Sequence, residues 1–250
     1  MANSKLPTIL KNSFRPPACT SWTAGDDVSE YYRGWGFTIY RTAYGPATDA
    51  QWRTLLDEIR DQVISEIDCY VEAGEEDLAA QLKSLFVLDT RSDAALLADK
   101  TMGEVREIYK QAAVASRSSG DDDDNDNSQS LPLMGDSPNQ RAFLLADAEV
   151  LEGVDRDPYF WVKCVEADFA EGDLAEAYRA LASRGRGRAA AGMWSGWMKM
   201  TTRSVVDLCT EMPVCDLASI APGARSADKM PVYNGELTGS SLTSKMSSGK

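Results

Sequence analysis

A strand that leads straight into a long amphipathic helix, between residues 35 and 68, restricts the fold of this chain more than any other part of its sequence. Residues 35–42 are aromatic and β-branched and alternate in polarity, which predicts a strand. Thr48 and Gln51 have the spacing of a capping box, a signal for the start of a helix. An apolar stripe then predicts a helix over residues 49–68, formed by Trp52, Leu55, Leu56, Ile59, Val63 and Ile67. Such a stripe packs on a flat apolar surface, and the preceding strand indicates that this surface is a sheet.

The alternation of strands and helices continues more weakly along the chain. A second capping box, Thr101 with Glu104, predicts a helix behind it. Further strands are predicted at 85–88, 141–146, 159–169 and 194–200, and helical turns at 174–181 and 205–209. This order predicts an α+β fold, a two-layer sandwich with helices on one face of a mixed or antiparallel sheet.

Composition divides the chain into one folded domain and three segments without periodicity. Residues 1–30 contain Pro, Ser and Thr in no helical or strand pattern and predict a disordered N-terminal arm. Residues 116–140 are Ser, Gly, Asp, Asn and Pro, with an Asp-rich block that no core could bury, and predict a disordered insertion. Residues 219–250 predict a disordered tail. The expected domain therefore spans residues 31–218.

The absence of histidine excludes several classes of function. Without His there is no Ser-His-Asp triad, no Cys-His dyad and no His-ligated zinc or haem. The five cysteines are scattered with no Cys-x-x-Cys pair and no export signal before them, so we expect reduced thiols in a cytoplasmic protein without bound metal or cofactor. The net charge of −13 disfavours nucleic acid, which needs Lys and Arg to neutralise its phosphates. No apolar run is long enough to span a membrane.

Four carboxylates stand at or near the ends of predicted strands and are the candidate catalytic residues: Asp89, Asp147, Glu166 and Asp168. If the strand ends meet at one rim of the sheet, these acids could hold a divalent cation or supply a general acid and base. The alternative is that they meet water and cap the turns that follow. No residue spacing forces them together, so we expect no metal site from them.

Arg41 is the candidate ligand-binding residue, together with Tyr44 and Trp35. It lies on the otherwise apolar face of the first predicted strand, where a guanidinium needs a carboxylate, an anion or an aromatic ring as its partner. An anion-binding pocket would use this arginine with Tyr44. Because Arg41 is close to the end of the strand, a structural salt bridge is the favoured alternative.

A series of short motifs resembles a group of uncharacterised intracellular proteins from filamentous ascomycete fungi. The motifs follow in the same order over about residues 31–210: Gly36-Phe-Thr-Ile-Tyr-Arg-Thr-Ala-Tyr-Gly45 with Trp52 behind it, Leu85-Phe-Val-Leu-Asp89, Gly103-Glu-Val-Arg106, Phe143-Leu-Leu-Ala-Asp147, Trp161-Val-Lys-Cys-Val-Glu-Ala-Asp168 and Gly196-Trp-Met-Lys199. The resemblance implies a fungal intracellular origin. It implies no activity, cofactor or catalytic residue.

From these observations we expect a module that binds a small molecule or another protein without covalent chemistry. The alternative is a His-free acid–base enzyme of specialised metabolism, of lyase, isomerase or cyclase type, that uses a strand-end carboxylate while Arg41 and Tyr44 hold the substrate. An RNA-associated role for the Arg/Gly segment 184–188 is the weakest hypothesis. Geometry separates the first two, because the enzyme requires at least two of the four acids and Arg41 to line one cavity.

Overall fold

The computed structural model describes residues 5–16, 28–118, 141–170, 172, 194–222 and 231–235. The helices of these residues are α1 Leu6–Ser13, α2 Thr48–Tyr70, α3 Glu76–Leu85, α4 Ala94–Leu97, α5 Met102–Ser118, α6 Ala148–Arg156, α7 Val205–Glu211 and α8 Leu217–Ile220, with 3-10 turns at Ser29–Tyr31 and Thr202–Ser204. The strands are β1 Trp35–Arg41, β2 Phe86–Arg91, β3 Ala142–Ala146, β4 Trp161–Glu166, β5 Trp197–Thr201 and β6 Val232–Tyr233.

The strands of the described residues form one mixed sheet in the order β2-β1-β3-β4-β5-β6. β1 lies parallel to both β2 and β3, β4 is antiparallel to its two neighbours, and β6 runs parallel to β5. One end of the sheet is therefore formed by the carboxyl ends of β1, β3 and β5 and by the amino end of β4. The predicted α+β fold with a mixed sheet is confirmed.

Most helices cover one face of the sheet, and α2 is the centre of that layer. The predicted stripe from Trp52 to Ile67 is buried against Trp35, Phe37 and Ile39, which alternate along β1 as predicted. Helix α5 lies on the opposite face, where Val105 and Tyr109 pack with Tyr40 of β1. The second face is therefore partly covered as well, and both faces of β1 are buried.

Two local predictions about helix starts have different outcomes. At α5 the capping box forms, because the backbone N–H of Thr101 donates to Glu104 at 2.8 Å and that of Glu104 donates to the Thr101 hydroxyl at 3.3 Å. At α2 the predicted box is wrong. There the Thr48 hydroxyl donates to the Gly45 carbonyl and accepts from Arg41, so both of its bonds are used outside the helix.

The N-terminal arm is a helix over part of the length that was expected to be disordered. Leu6 and Ile9 of α1 are buried in the main core. Just after the helix, the backbone N–H of Arg15 donates to the carbonyl of Tyr31 at 2.8 Å. The helix is too short to be recognised from periodicity, since it presents only one turn of apolar contact. Tertiary packing, not local sequence, orders it.

The expected tail also contributes to the core. Val232–Tyr233 adds β6 to the edge of the sheet, and Tyr233 is 1% exposed. A two-residue strand leaves no alternation in the sequence, which is why the tail prediction is wrong at this point. Residues 116–118 of the predicted Asp-rich insertion belong to helix α5, so the insertion prediction is wrong there. The rest of it lies outside the described residues, as do the helical turn at 174–181 and the Arg/Gly segment at 184–188.

None of the helices in the described residues is long and apolar enough to cross a membrane.

Candidate ligand-binding cleft

A cleft of about 660 Å³ opens where the second half of α2 passes the carboxyl ends of β5 and β6. Its described lining residues are Glu58, Gln62, Glu66, Tyr70, Pro158, Tyr159, Phe160, Thr201, Arg203, Asp207, Asn234 and Gly235. The volume is within the range of pockets that hold small organic ligands, roughly 300–1,000 Å³. The carboxyl ends of strands are also where α/β sheets commonly bind ligands.

One wall of the cleft is a polar continuation of the apolar stripe of α2. Ile59, Val63, Glu66 and Tyr70 follow one another at intervals of four, three and four residues, so they lie on one side of the helix. Glu66 is consequently 8% exposed although it is a carboxylate. The sequence contains a signal for this wall, because a carboxylate and a phenol stand at positions that continue the apolar stripe.

A cluster of three residues from different elements forms the end of the cleft. The Tyr70 hydroxyl donates to Asp207 Oδ1 at 2.7 Å, and Lys5 Nζ donates to the same oxygen at 2.5 Å. The Lys5 ammonium also lies 4.8 Å from the centroid of the Tyr70 ring. Asp207 therefore joins α1, α2 and α7 through one carboxylate that is 6% exposed.

Burial and charge alter the acid–base behaviour of this cluster. Burial, followed by the bond to Asp207 and the charge of that carboxylate, raises the pKa of Tyr70 to about 12. Partial burial disfavours the charged form of Lys5, but the bond and the charge of Asp207 outweigh it and raise the pKa of the ammonium. At neutral pH Tyr70 is therefore a neutral phenol and Lys5 an ammonium. A phenol that holds its proton this firmly is a hydrogen-bond donor and is not suited to act as a base.

Glu66 is held by an arginine at the mouth of the cleft. Both Nε and Nη2 of Arg203 donate to Glu66 Oε1, at 2.8 Å and 2.5 Å. The Arg203 side chain is 67% exposed, whereas that of Glu66 is 11% exposed. The carboxylate thus belongs to the floor of the cleft and the guanidinium to its rim.

The segment after β6 closes the far side of the cleft. Gly235 has a φ of +86°, and a Cβ at this position would lie 2.0 Å from Asp207 Oδ2. Tyr233 connects β6 to α7, since its hydroxyl donates to Glu211 at 2.7 Å. Burial raises the pKa of Glu211 as well. Only a glycine can pass so close to the Asp207 carboxylate in this conformation.

The structure does not bring the four strand-end carboxylates together. Asp147 follows β3 at the end of the sheet where β4 begins, whereas Glu166 and Asp168 stand at the other end of β4. The length of this strand of six residues, about 17 Å, separates the two places. Asp89 is not at a strand end, because β2 continues to Arg91. The acids thus occupy separate places, and none of them lines the cleft.

Most of the four acids have a local structural role. Asp147 accepts from the Val150 backbone at the start of α6 and from Lys163 Nζ at 2.6 Å. Asp89 accepts from Thr38 at 3.1 Å and from Arg91 at 3.0 Å. Glu166 accepts from the Trp194 indole at 2.5 Å. Asp168 lies exposed in the turn after β4.

Arg41, Tyr44 and Trp35 also lie away from the cleft. Arg41 Nη2 donates to Asp49 and to Thr48, both at 2.6 Å, and its guanidinium is 4.6 Å from the centroid of the Tyr44 ring. This is the structural salt bridge that the sequence favoured. Trp35 stands at the other end of β1, is 2% exposed and donates to the Leu82 carbonyl at 2.8 Å.

No group of three or more Cys, Asp or Glu side chains in the described part of the chain is arranged to hold a metal ion. Comparison of the chain with protein-family models, with curated proteins and with solved structures finds no match. The resemblance to fungal proteins therefore stays a prediction.

Proposed function

We propose that this protein binds a small organic molecule, without covalent chemistry, in the cleft between α2 and the carboxyl ends of β5 and β6. The observation that carries the proposal is the combination of volume and lining. A space of about 660 Å³ is bordered by three aromatic rings and by polar groups on separate elements. Pockets of this size that combine aromatic contact with convergent polar groups are suited to bind small molecules.

The polar groups of the cleft support specific recognition because they are fixed in place. Asp207 is held by Lys5 and Tyr70, and Glu66 by Arg203. Groups that are already ordered lose little conformational entropy when a ligand arrives, so more of the interaction energy is retained as affinity. The aromatic faces of Tyr70, Tyr159 and Phe160 offer apolar contact beside them.

Catalysis by the strand-end carboxylates receives no comparable support. The enzyme hypothesis requires two of these acids and Arg41 to line one cavity, and all of them lie outside the described lining of the cleft. Within the cleft, the raised pKa of Tyr70 favours a donor over a base. Binding is therefore the function that we propose.

The experiment is a thermal-shift screen of the full-length chain against a panel of soluble metabolites of varied charge. A ligand present at about one hundred times its Kd stabilises the native state by about 2.7 kcal/mol, or about 5–10 °C for a chain of this size. We expect at least one class of compound to produce such a shift. A panel that leaves the melting temperature unchanged would count against the proposal.

A further inference from the structure

We infer that the ligand of the cleft carries a positively charged amine, which is recognised by carboxylates on the floor and by an aromatic ring beside them. This inference rests on the proposed function. The described lining contains three carboxylates, Glu58, Glu66 and Asp207, and two cations pair with them, the Arg203 guanidinium and the Lys5 ammonium. The balance of charge in the lining favours a cation over an anion.

The depth of the charges strengthens this preference. The side chains of Glu66 and Asp207 are 11% and 9% exposed, whereas those of Arg203 and Lys5, which pair with them, are 67% and 35% exposed. A carboxylate on the floor acts through less water than a cation at the rim, so its field reaches a bound ligand with less screening.

Each of these carboxylates keeps one oxygen away from its described partners. Both nitrogens of Arg203 bond to Oε1 of Glu66, and Lys5 and Tyr70 both bond to Oδ1 of Asp207. The second oxygen of Asp207 faces Gly235, which also borders the cleft. An ionised carboxyl group accepts several hydrogen bonds, so Glu66 retains acceptor capacity for an ammonium group.

The chain itself contains an ammonium group held in the proposed way. Lys5 Nζ is 2.5 Å from Asp207 Oδ1 and 4.8 Å from the centroid of the Tyr70 ring, and both of these residues line the cleft. A carboxylate with an adjacent aromatic face is a recurring arrangement for amine and quaternary ammonium ligands. Because Lys5 already occupies the position between Asp207 and Tyr70, the carboxylates left for a ligand amine are Glu66 and Glu58.

The charge of the whole chain favours the approach of such a ligand. The net charge of −13 attracts cations and repels anions at low ionic strength. Binding of an amine should therefore weaken as salt is added, because exposed charges are screened beyond a Debye length of about 8 Å at physiological ionic strength.

Three probes that share one aromatic body and differ in charge test the inference: phenethylamine, phenethyl alcohol and 3-phenylpropionate. Their binding to the full-length chain is measured by ligand-observed NMR or calorimetry at low salt. We expect phenethylamine to bind at least about tenfold more tightly than the other two, which corresponds to one charge-assisted hydrogen bond. We expect Glu66→Gln to weaken it by about tenfold.

Two further variants separate recognition from loss of folding. Glu58 lines the cleft and, among described groups, accepts only from Gln62 on its own helix, so Glu58→Gln should keep the fold and also weaken phenethylamine. Asp61→Asn removes the same charge from an exposed position of α2 and should change the affinity by less than about twofold. Equal losses in Glu58→Gln and Asp61→Asn would overturn recognition by the cleft.

The outcomes distinguish this inference from the proposed function. If the alcohol or the acid binds as tightly as the amine, the preference for a cation is overturned while the cleft remains a binding site. The preference is equally overturned if none of the three binds although the metabolite panel contains a stabilising compound. If the panel contains none, the proposed function fails and the inference fails with it.

Discussion

Replacing Asp207 by Asn removes a charge from the end of the cleft while keeping the size of the side chain. In the native structure this carboxylate accepts from the Tyr70 hydroxyl at 2.7 Å and from the Lys5 ammonium at 2.5 Å, and the residue is 6% exposed. The substitution leaves both donors in place, removes the charge of the acceptor and replaces one carboxylate oxygen by an amide NH2 group. It therefore measures the value of an ionised group at this position.

The expected loss of stability follows from the two bonds. A hydrogen bond to a charged group contributes about 1.5–3 kcal/mol and one between neutral groups about 0.5–1.5 kcal/mol, so the Tyr70 bond loses about 1 kcal/mol. The Lys5 ion pair loses at most another 1 kcal/mol or so, because that side chain is 35% exposed. A total of about 2 kcal/mol lowers the melting temperature by about 4–8 °C.

Urea unfolding at neutral pH measures this loss, and absorbance titration of the phenolates provides a second measurement. The Asp207→Asn substitution should lower the pKa of Tyr70 from about 12 towards its ordinary value of 10, although burial retains part of the shift. A Tyr70→Phe variant identifies which titration step belongs to this residue. Because a raised native pKa means that stability is present below pH 10 and lost towards pH 12, the difference between wild type and Asp207→Asn should narrow over that range.

As a control, Asp57→Asn disrupts an exposed ion pair with Arg60 on the same helix and should cost less than about 0.5 kcal/mol. A free energy of unfolding for Asp207→Asn within about 0.5 kcal/mol of the wild type would contradict this role of the carboxylate. An unchanged pKa of Tyr70 in the variant would contradict it as well.

Three further predictions concern the cleft and the residues that lie away from it. Gly235→Ala should destabilise the chain by about 1–3 kcal/mol in denaturant unfolding, because its Cβ would lie 2.0 Å from Asp207 Oδ2 at a φ of +86°; wild-type stability would show that this segment moves freely. Arg41→Met should lower the free energy of unfolding by about 1–2 kcal/mol, because the bonds to Thr48 and Asp49 are lost, yet leave the affinity for phenethylamine within about twofold. A large drop in that affinity would indicate that Arg41 takes part in binding. In the native protein, Cys69 should react with a thiol reagent, whereas Cys164 should react only after unfolding because burial raises the pKa of its thiol. Peptide mass mapping that finds Cys164 modified in the native protein would contradict its position in the core.

Regular patterns in the sequence predict the centre of the fold well. β1 and α2 follow from alternation and from a stripe of apolar residues, because each contains enough residues for a period to be counted. α1 and β6 escape prediction since eight and two residues carry too little pattern, and both depend on contacts with distant parts of the chain. Local sequence patterns predict elements that form from local preferences, whereas α1 and β6 form because distant parts of the chain pack against them.

The candidate site is a harder problem than the fold. The sequence predicts acids at strand ends, but β4 is antiparallel to β3, so Glu166 lies at the opposite end of the sheet from Asp147. Strand direction is not readable from any single strand. In contrast, Glu66 and Tyr70 continue the stripe of α2, so the burial of Glu66 and the partial burial of Tyr70 are predictable from spacing alone. The meeting of α2 with Asp207, 137 residues further along the chain from Tyr70, required the structure.

Calorimetry on variants that fill the cleft decides whether ligands bind there. Glu58→Trp places a large ring at the half-buried lining position of α2, and Asp57→Trp places the same ring on the exposed side of that helix. Titrated with the strongest stabilising compound of the metabolite panel, the wild type and Asp57→Trp should bind with the same Kd, within about twofold, and Glu58→Trp should lose at least about tenfold in affinity. Unchanged binding to a well-folded Glu58→Trp variant would contradict the cleft as the site.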